Sequence, residues 1–164
     1  MIEYDKIQDA IVYATQAFSG VESHKPTLLH SIRCGIKLLD NGYSTDMIIA
    51  GVLHDTIEDT PVTLQDITSR YGSKVAELVA ANTKDPTIED KNVRREELVK
   101  RACKSSAEAA TIKLADIADN YEYYTAIHDE SLINYCRELK GYFVKYIDTT
   151  IIDTYMRVLL DKII

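Results

Sequence analysis

The 164-residue chain has the length of one domain that can build its own hydrophobic core. Apolar residues at 46% and charged residues at 27% exclude a disordered or collagen-like protein. The net charge of −7 argues against a module that binds DNA or RNA, because such modules attract the phosphate backbone with positive charge. Six glycines and three prolines are few, which favours long helices over many short strands.

The chain contains no segment that predicts a membrane or export role. Its longest apolar run, Met47 to Leu53, is far shorter than the roughly 20 residues that span a bilayer. The first ten residues lack the basic and apolar regions of a signal peptide. Cys34, Cys103 and Cys136 form no CxxC pair, which predicts buried thiols rather than a zinc knuckle or a disulfide framework. We therefore expect a cytoplasmic protein without a membrane partner.

Apolar spacing predicts helices along almost the whole chain. In chain order the expected helices cover residues 2–18, 27–40, about 46 to 57–59, 63–72, 75–79, 94–104, 107–124 and 132–163. Leu28, Ile32, Ile36 and Leu39 form one apolar stripe on the second helix. The last helix is apolar enough to pack on the core or on a second subunit, so a homo-oligomer is an option. The sequence predicts a single all-α domain over residues 1–164.

Several turn and cap residues define where these helices begin and end. Asn41-Gly42 and Gly72 are typical of helix C-termini. Thr63 with Asp66 three residues later resembles a capping box at a helix N-terminus. Pro61 cannot continue the third helix, which we therefore expect to end near residues 57–59.

The segment Gly51 to Pro61, GVLHDTIEDTP, combines an apolar run with an unusual set of polar residues. His54 and Asp55 directly follow residues that must be buried. Asp55, Glu58 and Asp59 would then crowd the C-terminal end of a helix, where each carboxylate costs up to about 1 kcal/mol against the helix dipole. The alternative to a functional site is a structural histidine in the core beside a solvated, acidic helix end. We favour a divalent cation, which compensates the clustered negative charge.

Two further polar residues lie in apolar surroundings on other predicted helices. His30 follows Leu29 at the margin of the apolar stripe, and Asp116 lies in TIKLADIADN with Asn120 four residues later. Taken alone, His30 could be a structural histidine, and Asp116 could form a weak surface ion pair with Lys113. Together with His54 and Asp55, they are a donor set that suits an octahedral divalent metal.

These residues also resemble a known pattern. His30, the His54-Asp55 pair and Asp116 match the H…HD…D ligand order of the HD-domain metal-dependent phosphohydrolases. HDTIED at 54–59 and KLAD at 113–116 followed by Asn120 resemble the hydrolase domain of RelA/SpoT stringent-response enzymes and the small alarmone hydrolases. The likeness covers about residues 20–124, with helices of the segment 130–164 following it. It implies an all-α HD-domain helical bundle.

The resemblance implies a role for each matching residue. His30, His54, Asp55 and Asp116 would hold one metal ion, usually manganese in this family. Glu58 and Asp59 would orient and deprotonate the attacking water. The implied reaction is removal of pyrophosphate from the 3′ position of a (p)ppGpp-type guanine nucleotide.

Substrate recognition is less well matched. Asn120 would contact the nucleotide sugar, Lys25 is a loop cation that could bind phosphate, and Tyr123 could stack on a base.

The sequence departs from the family at positions that surround this centre. Val21 and Glu22 occupy the places of an Arg-Lys pair, which removes cationic recognition of the substrate. Thr27 replaces a preferred Tyr, Ser31 replaces the Pro after His30, and residues 121–123 replace Met-Arg-Thr. Two alternatives therefore stay open: an HD nucleotidase or phosphodiesterase with another phosphate ester substrate, and a catalytically idle scaffold that binds a nucleotide.

Overall fold

The computed structural model describes residues 2–23 and 25–164, and within these ranges every regular element is helical. This confirms the predicted all-α class. The helices form two compact units, one ending at Thr83 and the other covering Lys84–Ile164. Over the described ranges, no helix combines the length and apolar character needed to cross a membrane.

The first unit is built around a largely buried helix. Its helices are α1 (Tyr4–Ala17), α2 (Thr27–Asp40), α3 (Thr45–Leu53), α4 (Thr56–Asp59), α5 (Leu64–Tyr71) and α6 (Ser73–Asn82). Every residue of α3 except Asp46 is buried, because α1, α2 and α6 all pack against it. The predicted capping box of Thr63 and Asp66 begins α5, and Gly72 ends it with a φ of 88°.

Two glycines allow α2 and α3 to pack unusually close together. A Cβ atom placed on Gly35 would lie 2.3 Å from Val52 Cγ2 and 3.2 Å from the backbone oxygen of Ile48. A Cβ atom on Gly51 would lie 2.7 Å from Leu38 Cδ1 and 3.5 Å from the Cα atom of Gly35. No side chain larger than hydrogen fits this crossing without movement of its neighbours.

The structure corrects the expected packing of α2. Its buried residues are Thr27, His30, Ser31, Cys34, Gly35 and Leu38. The predicted apolar stripe instead lies at the edge of the core or outside it, and Ile36 is 45% exposed. The helix turns its small and polar face inward because only that face can approach α3 closely at the glycine crossing.

The third helix also ends earlier than predicted, at Leu53 rather than near residues 57–59. His54 Nδ1 donates a hydrogen bond to the Gly51 oxygen at 2.7 Å, and Thr56 Oγ1 donates to the Leu53 oxygen at the same distance. These side chains satisfy carbonyls that a continuing helix would have bonded. A separate single turn, α4, then carries Glu58 and Asp59.

The second unit is arranged around α8. Its helices are α7 (Lys91–Ser105), α8 (Ala107–Ala126), α9 (Glu130–Tyr146), a 3₁₀ turn (Thr149–Ile151) and α10 (Thr154–Lys162). Helices α7, α9 and α10 pack on α8, which is buried continuously from Ala109 to Asp119.

The single closing helix predicted for residues 132–163 is wrong. Asp148 and Asp153 accept hydrogen bonds from the amides of Thr150 and Met156, so each begins a new helical segment. The chain beyond Tyr146 therefore changes direction instead of continuing α9. All three cysteines are buried and outside disulfides, as predicted.

Candidate metal centre

Two buried histidines face each other across the crossing of α2 and α3. His30 is 2% exposed and His54 is fully buried. Their Nε2 atoms are 3.2 Å apart, and their rings are nearly perpendicular, with an interplanar angle of 73°. The close packing at Gly35 and Gly51 brings these side chains together from positions 24 residues apart.

The hydrogen bond of His54 defines which of its nitrogens can bind a cation. Its Nδ1 lies 2.7 Å from the Gly51 oxygen, and a carbonyl oxygen can only accept. Nδ1 therefore carries the proton, and in the neutral ring Nε2 presents its lone pair toward His30. A histidine whose second nitrogen donates to a backbone carbonyl is the usual arrangement of a metal ligand.

The Asp55 carboxylate completes a converging set of donors. Its Oδ1 lies 3.4 Å from His54 Nε2, and its Oδ2 lies 3.7 Å from His30 Nε2. Lys25 Nζ also approaches Asp55 Oδ2, at 3.7 Å, so a cation already lies next to this carboxylate. The structure thus brings three of the predicted ligands together with Lys25 within the first unit.

The dimensions of this group fit a divalent metal ion. Two ligands at right angles on a cation with bonds of about 2.1 Å are about 3.0 Å apart. The 3.2 Å separation of the two Nε2 atoms is close to that value. Imidazole nitrogen and carboxylate oxygen are donors that manganese, iron and zinc accept.

Cys34 is also a member of this cluster, although the sequence predicted it only as a buried thiol. Its Sγ lies 3.9 Å from His30 Nδ1 and 4.0 Å from His30 Nε2. Single donor atoms of His30, Cys34 and His54 lie within 4.8 Å of one another. The spacing of four residues between His30 and Cys34 was the available signal, because such residues share one helix face.

Asp116, the fourth predicted ligand, lies on α8 in the second unit. Lys113 Nζ donates to its Oδ2 at 2.9 Å, and Asn120 Nδ2 donates to its Oδ1 at 2.6 Å. The ion pair considered from the sequence exists, but it is buried rather than on the surface, since Lys113 is only 3% exposed. Burial makes this pair much more costly to disrupt than a surface pair.

The predicted catalytic acids lie directly after the histidine–aspartate pair. Glu58 is half-buried and Asp59 is exposed, both on the single turn of α4. They do not lie at the C-terminal end of α3, so the dipole cost expected from the sequence is wrong in that form. Asp55 precedes α4 as its N-cap residue, where a negative charge is favourable.

The second unit pairs Arg95 with Tyr135, a contact that the sequence did not predict. The Arg95 guanidinium lies over the Tyr135 ring, 4.5 Å from its centroid. The pKa of the Tyr135 hydroxyl is raised, chiefly by burial and also by the carboxylate of Asp116. The positive charges of Lys84 and Arg95 act in the opposite direction. Arg95 itself is half-buried. Tyr123, the predicted stacking residue, is half-buried with its ring centroid 5.5 Å from that of Tyr124.

The fold and the converging donors define an all-α protein with a candidate metal centre of the His–Asp type. The HD domain family model matches residues 10–140, which is most of the chain. The chain belongs to the HD domain family.

Curated relatives carry names that specify a reaction. The chain is 32% identical to the guanosine-3′,5′-bis(diphosphate) 3′-pyrophosphohydrolase of Aquifex aeolicus over 77% of this chain and 19% of the relative. It is 36% identical to the MESH1 enzyme of the same name from Drosophila melanogaster over 58% of this chain and 54% of the relative. The chain therefore spans about half the length of the MESH1 relative and a fifth of the Aquifex one.

Solved structures share the fold. A metazoan ortholog of SpoT, described as hydrolysing ppGpp, matches with a TM-score of 0.77 and 22% identity over 96% of this chain and 93% of its own. A protein of Listeria monocytogenes EGD-e matches with a TM-score of 0.70 and 21% identity over 86% of this chain and 97% of its own.

Proposed function

We propose that the chain is a metal-dependent phosphohydrolase that removes pyrophosphate from the 3′ position of a (p)ppGpp-type guanine nucleotide. The observation that carries this proposal is the convergence of His30, His54 and Asp55 in a chain of the HD domain family. The names of the relatives from Aquifex and Drosophila supply the substrate class. We also propose a cytoplasmic location, no nucleic-acid partner and the capacity to form a homo-oligomer.

The proposed ligands are His30, His54, Asp55 and Asp116, with Mn²⁺ as the cation. When bound, such a cation lowers the pKa of water and neutralises charge on phosphate oxygens. His54 is already oriented for this task by its bond to the Gly51 oxygen. Asn120 and Lys113 hold the Asp116 carboxylate in a fixed orientation.

The acids of α4 supply the proton transfer in this proposal. Glu58 and Asp59 follow Asp55 by three and four residues, on a turn that begins immediately after the histidine–aspartate pair. A carboxylate at this position can accept the proton of the attacking water. Glu58 and Asp59 are therefore assigned as the two carboxylates that orient and deprotonate the attacking water.

Substrate binding is assigned to Lys25, Asn120 and Tyr123. Lys25 is the strongest of these candidates, because its Nζ already lies 3.7 Å from Asp55 and is partly buried. The positive charge of Lys25 would attract a polyphosphate bound at the metal centre. Arg95 over Tyr135 is an additional group that could recognise a base or a phosphate.

One observation favours a second candidate function. Val21 and Glu22 occupy the positions of the cationic pair that the resembling enzymes carry, so the substrate could be another nucleotide or phosphate ester. An idle scaffold that binds a nucleotide is a third candidate. The buried, mutually facing histidines count against it, because polar groups buried without a task cost stability.

A nucleotide panel tests the three candidates together. Purified chain loaded with Mn²⁺ is incubated with ppGpp, pppGpp, GTP, deoxynucleoside triphosphates and cyclic nucleotides, and products are separated by anion exchange. Release of GDP and pyrophosphate from ppGpp supports the proposal. Release from another nucleotide alone supports the second candidate, and bound metal with no product supports the third.

Matched variants separate ligands from proton acceptors. Glu58→Gln and Asp59→Asn should retain metal and lower turnover by about 10²–10⁴-fold. Asp116→Ala should lose metal and activity together, whereas Glu77→Gln, at an exposed position of α6, should change neither. If the α4 variants lose metal as readily as Asp116→Ala, these acids are ligands or support the ligands.

A further inference from the structure

Cys34 is a thiol placed at the side of the proposed metal centre. It is fully buried, and its Sγ lies 3.9–4.0 Å from both ring nitrogens of His30. The His30–Cys34–His54 group lies entirely within the first unit. Sulfur is the softest donor of the group and selects for thiophilic metals such as zinc, cobalt and cadmium.

The distances define how far the thiol is from a ligand position. Because Sγ is almost equally far from Nδ1 and Nε2 of His30, it lies alongside the ring rather than beyond Nε2. A tetrahedral ion with bonds of about 2.0 Å to nitrogen and about 2.3 Å to sulfur requires an N···S separation of about 3.5 Å. The separation of Sγ from His30 Nε2 has to shorten from 4.0 Å by about 0.5 Å. A change between staggered χ1 positions moves Sγ by about 3 Å, which is more than this shortening.

We infer that Cys34 makes the centre responsive to thiophilic metals. Zn²⁺, Co²⁺ or Cd²⁺ recruits Cys34 Sγ as a ligand together with His30, His54 and Asp55, in the place that Asp116 takes for Mn²⁺, whereas Mn²⁺ leaves Cys34 as a thiol. On recruitment a metal–sulfur bond forms, the S–H bond breaks and its proton passes to solvent. No electron is transferred.

This change of ligands has a consequence for the proposed reaction. Four protein ligands around a tetrahedral ion leave no open position, as in structural zinc sites. Thiophilic ions would therefore inhibit the hydrolysis that Mn²⁺ supports. This consequence rests on the proposed function, but the recruitment of Cys34 does not.

Cobalt absorption tests the recruitment directly. The full chain is titrated with Co²⁺ to one equivalent, and the near-ultraviolet thiolate-to-cobalt charge-transfer band is recorded. We expect the band in the wild type and in Cys103→Ser and Cys136→Ser, which remove the other two buried thiols. Cys34→Ser should lose the band while its visible cobalt spectrum still reports binding. Its preference for Zn²⁺ over Mn²⁺ should fall at least tenfold.

A second measurement needs no variant. X-ray absorption at the zinc edge of the wild type with one equivalent of Zn²⁺ should require one sulfur neighbour at about 2.3 Å. A shell of nitrogen and oxygen alone, or a cobalt band that persists in Cys34→Ser, overturns the inference. If the sulfur neighbour is present but no nucleotide is hydrolysed with Mn²⁺, the proposed function fails and the inference on Cys34 stands.

Discussion

Replacing Gly35 by alanine perturbs the crossing of α2 and α3 that brings His30 and His54 together. The added methyl would meet Val52 Cγ2 at 2.3 Å, where carbon atoms normally lie about 3.5–4.0 Å apart. The two helices must therefore separate by about 1 Å or more. Val52 cannot easily rotate away, because β-branched side chains on helices have one preferred rotamer.

The expected loss of stability follows from two opposing terms. Overpacking of a core costs about 1–3 kcal/mol, and the higher helix propensity of alanine returns about 1 kcal/mol. We expect Gly35→Ala to lower the free energy of unfolding by up to about 2 kcal/mol. Gly51→Ala should cost less, since its closest contact is Leu38 Cδ1, the end of a flexible side chain.

Metal affinity is the more specific measurement. A separation of the helices would also move the His30 and His54 Nε2 atoms, now 3.2 Å apart, away from the spacing that one ion requires. We expect the dissociation constant for Mn²⁺ to rise about tenfold or more, as with other disturbances of the groups that orient metal ligands. Urea unfolding of the metal-free chain and metal titration of the folded chain measure the two effects separately.

Gly141 in α9 provides the matched control. A Cβ atom there meets no other atom within 4 Å. Gly141→Ala should therefore raise the free energy of unfolding by about 0.5–1 kcal/mol and leave metal affinity unchanged. If Gly35→Ala is as stable as Gly141→Ala and binds Mn²⁺ like the wild type, the argument from the close crossing is refuted.

Three other outcomes follow from the structure. Chelation and dialysis should lower the melting temperature, because metal binds the folded state preferentially; an unchanged value would show that the cation contributes no stability. Thr56→Val should cost about 1–3 kcal/mol by leaving the Leu53 oxygen without its 2.7 Å bond, whereas Thr68→Val on exposed α5 should cost less in the same urea assay. Arg70 holds the pKa of Asp9 below its usual range, so this pair stabilises the fold above about pH 4 and its contribution is lost as the pH falls. Asp9→Asn should lower stability at pH 7 by less than about 1 kcal/mol and make the loss between pH 5 and pH 3 shallower, since the pair is partly exposed.

Local chemistry in the sequence determined most helix boundaries. The helix over Thr27–Asp40, the capping box at Thr63 and the stop at Gly72 were all predicted from short-range rules. Such signals act within one turn of backbone, so they do not depend on the rest of the fold. The resemblance in HDTIED and KLAD predicted a metal centre for a similar reason: the motif residues keep a fixed spacing along the chain.

Only the tertiary structure decided which face of α2 is buried. A periodic stripe of Leu28, Ile32 and Ile36 predicts a core face when the helix is considered alone. The glycine crossing with α3 requires small residues instead, and the gain from close packing outweighs the partial exposure of Ile36.

The end of α3 and the position of Cys34 beside the histidine pair were also decided only by the tertiary structure. The sequence could place Pro61 as a barrier to the helix, but only the folded chain shows that His54 and Thr56 side chains satisfy the carbonyls of Gly51 and Leu53 earlier. Likewise, Cys34 joins the histidine pair because α2 and α3 approach each other, a contact between residues far apart in sequence. Packing between helices depends on the shapes of both partners, and no pattern within a single helix contains that information.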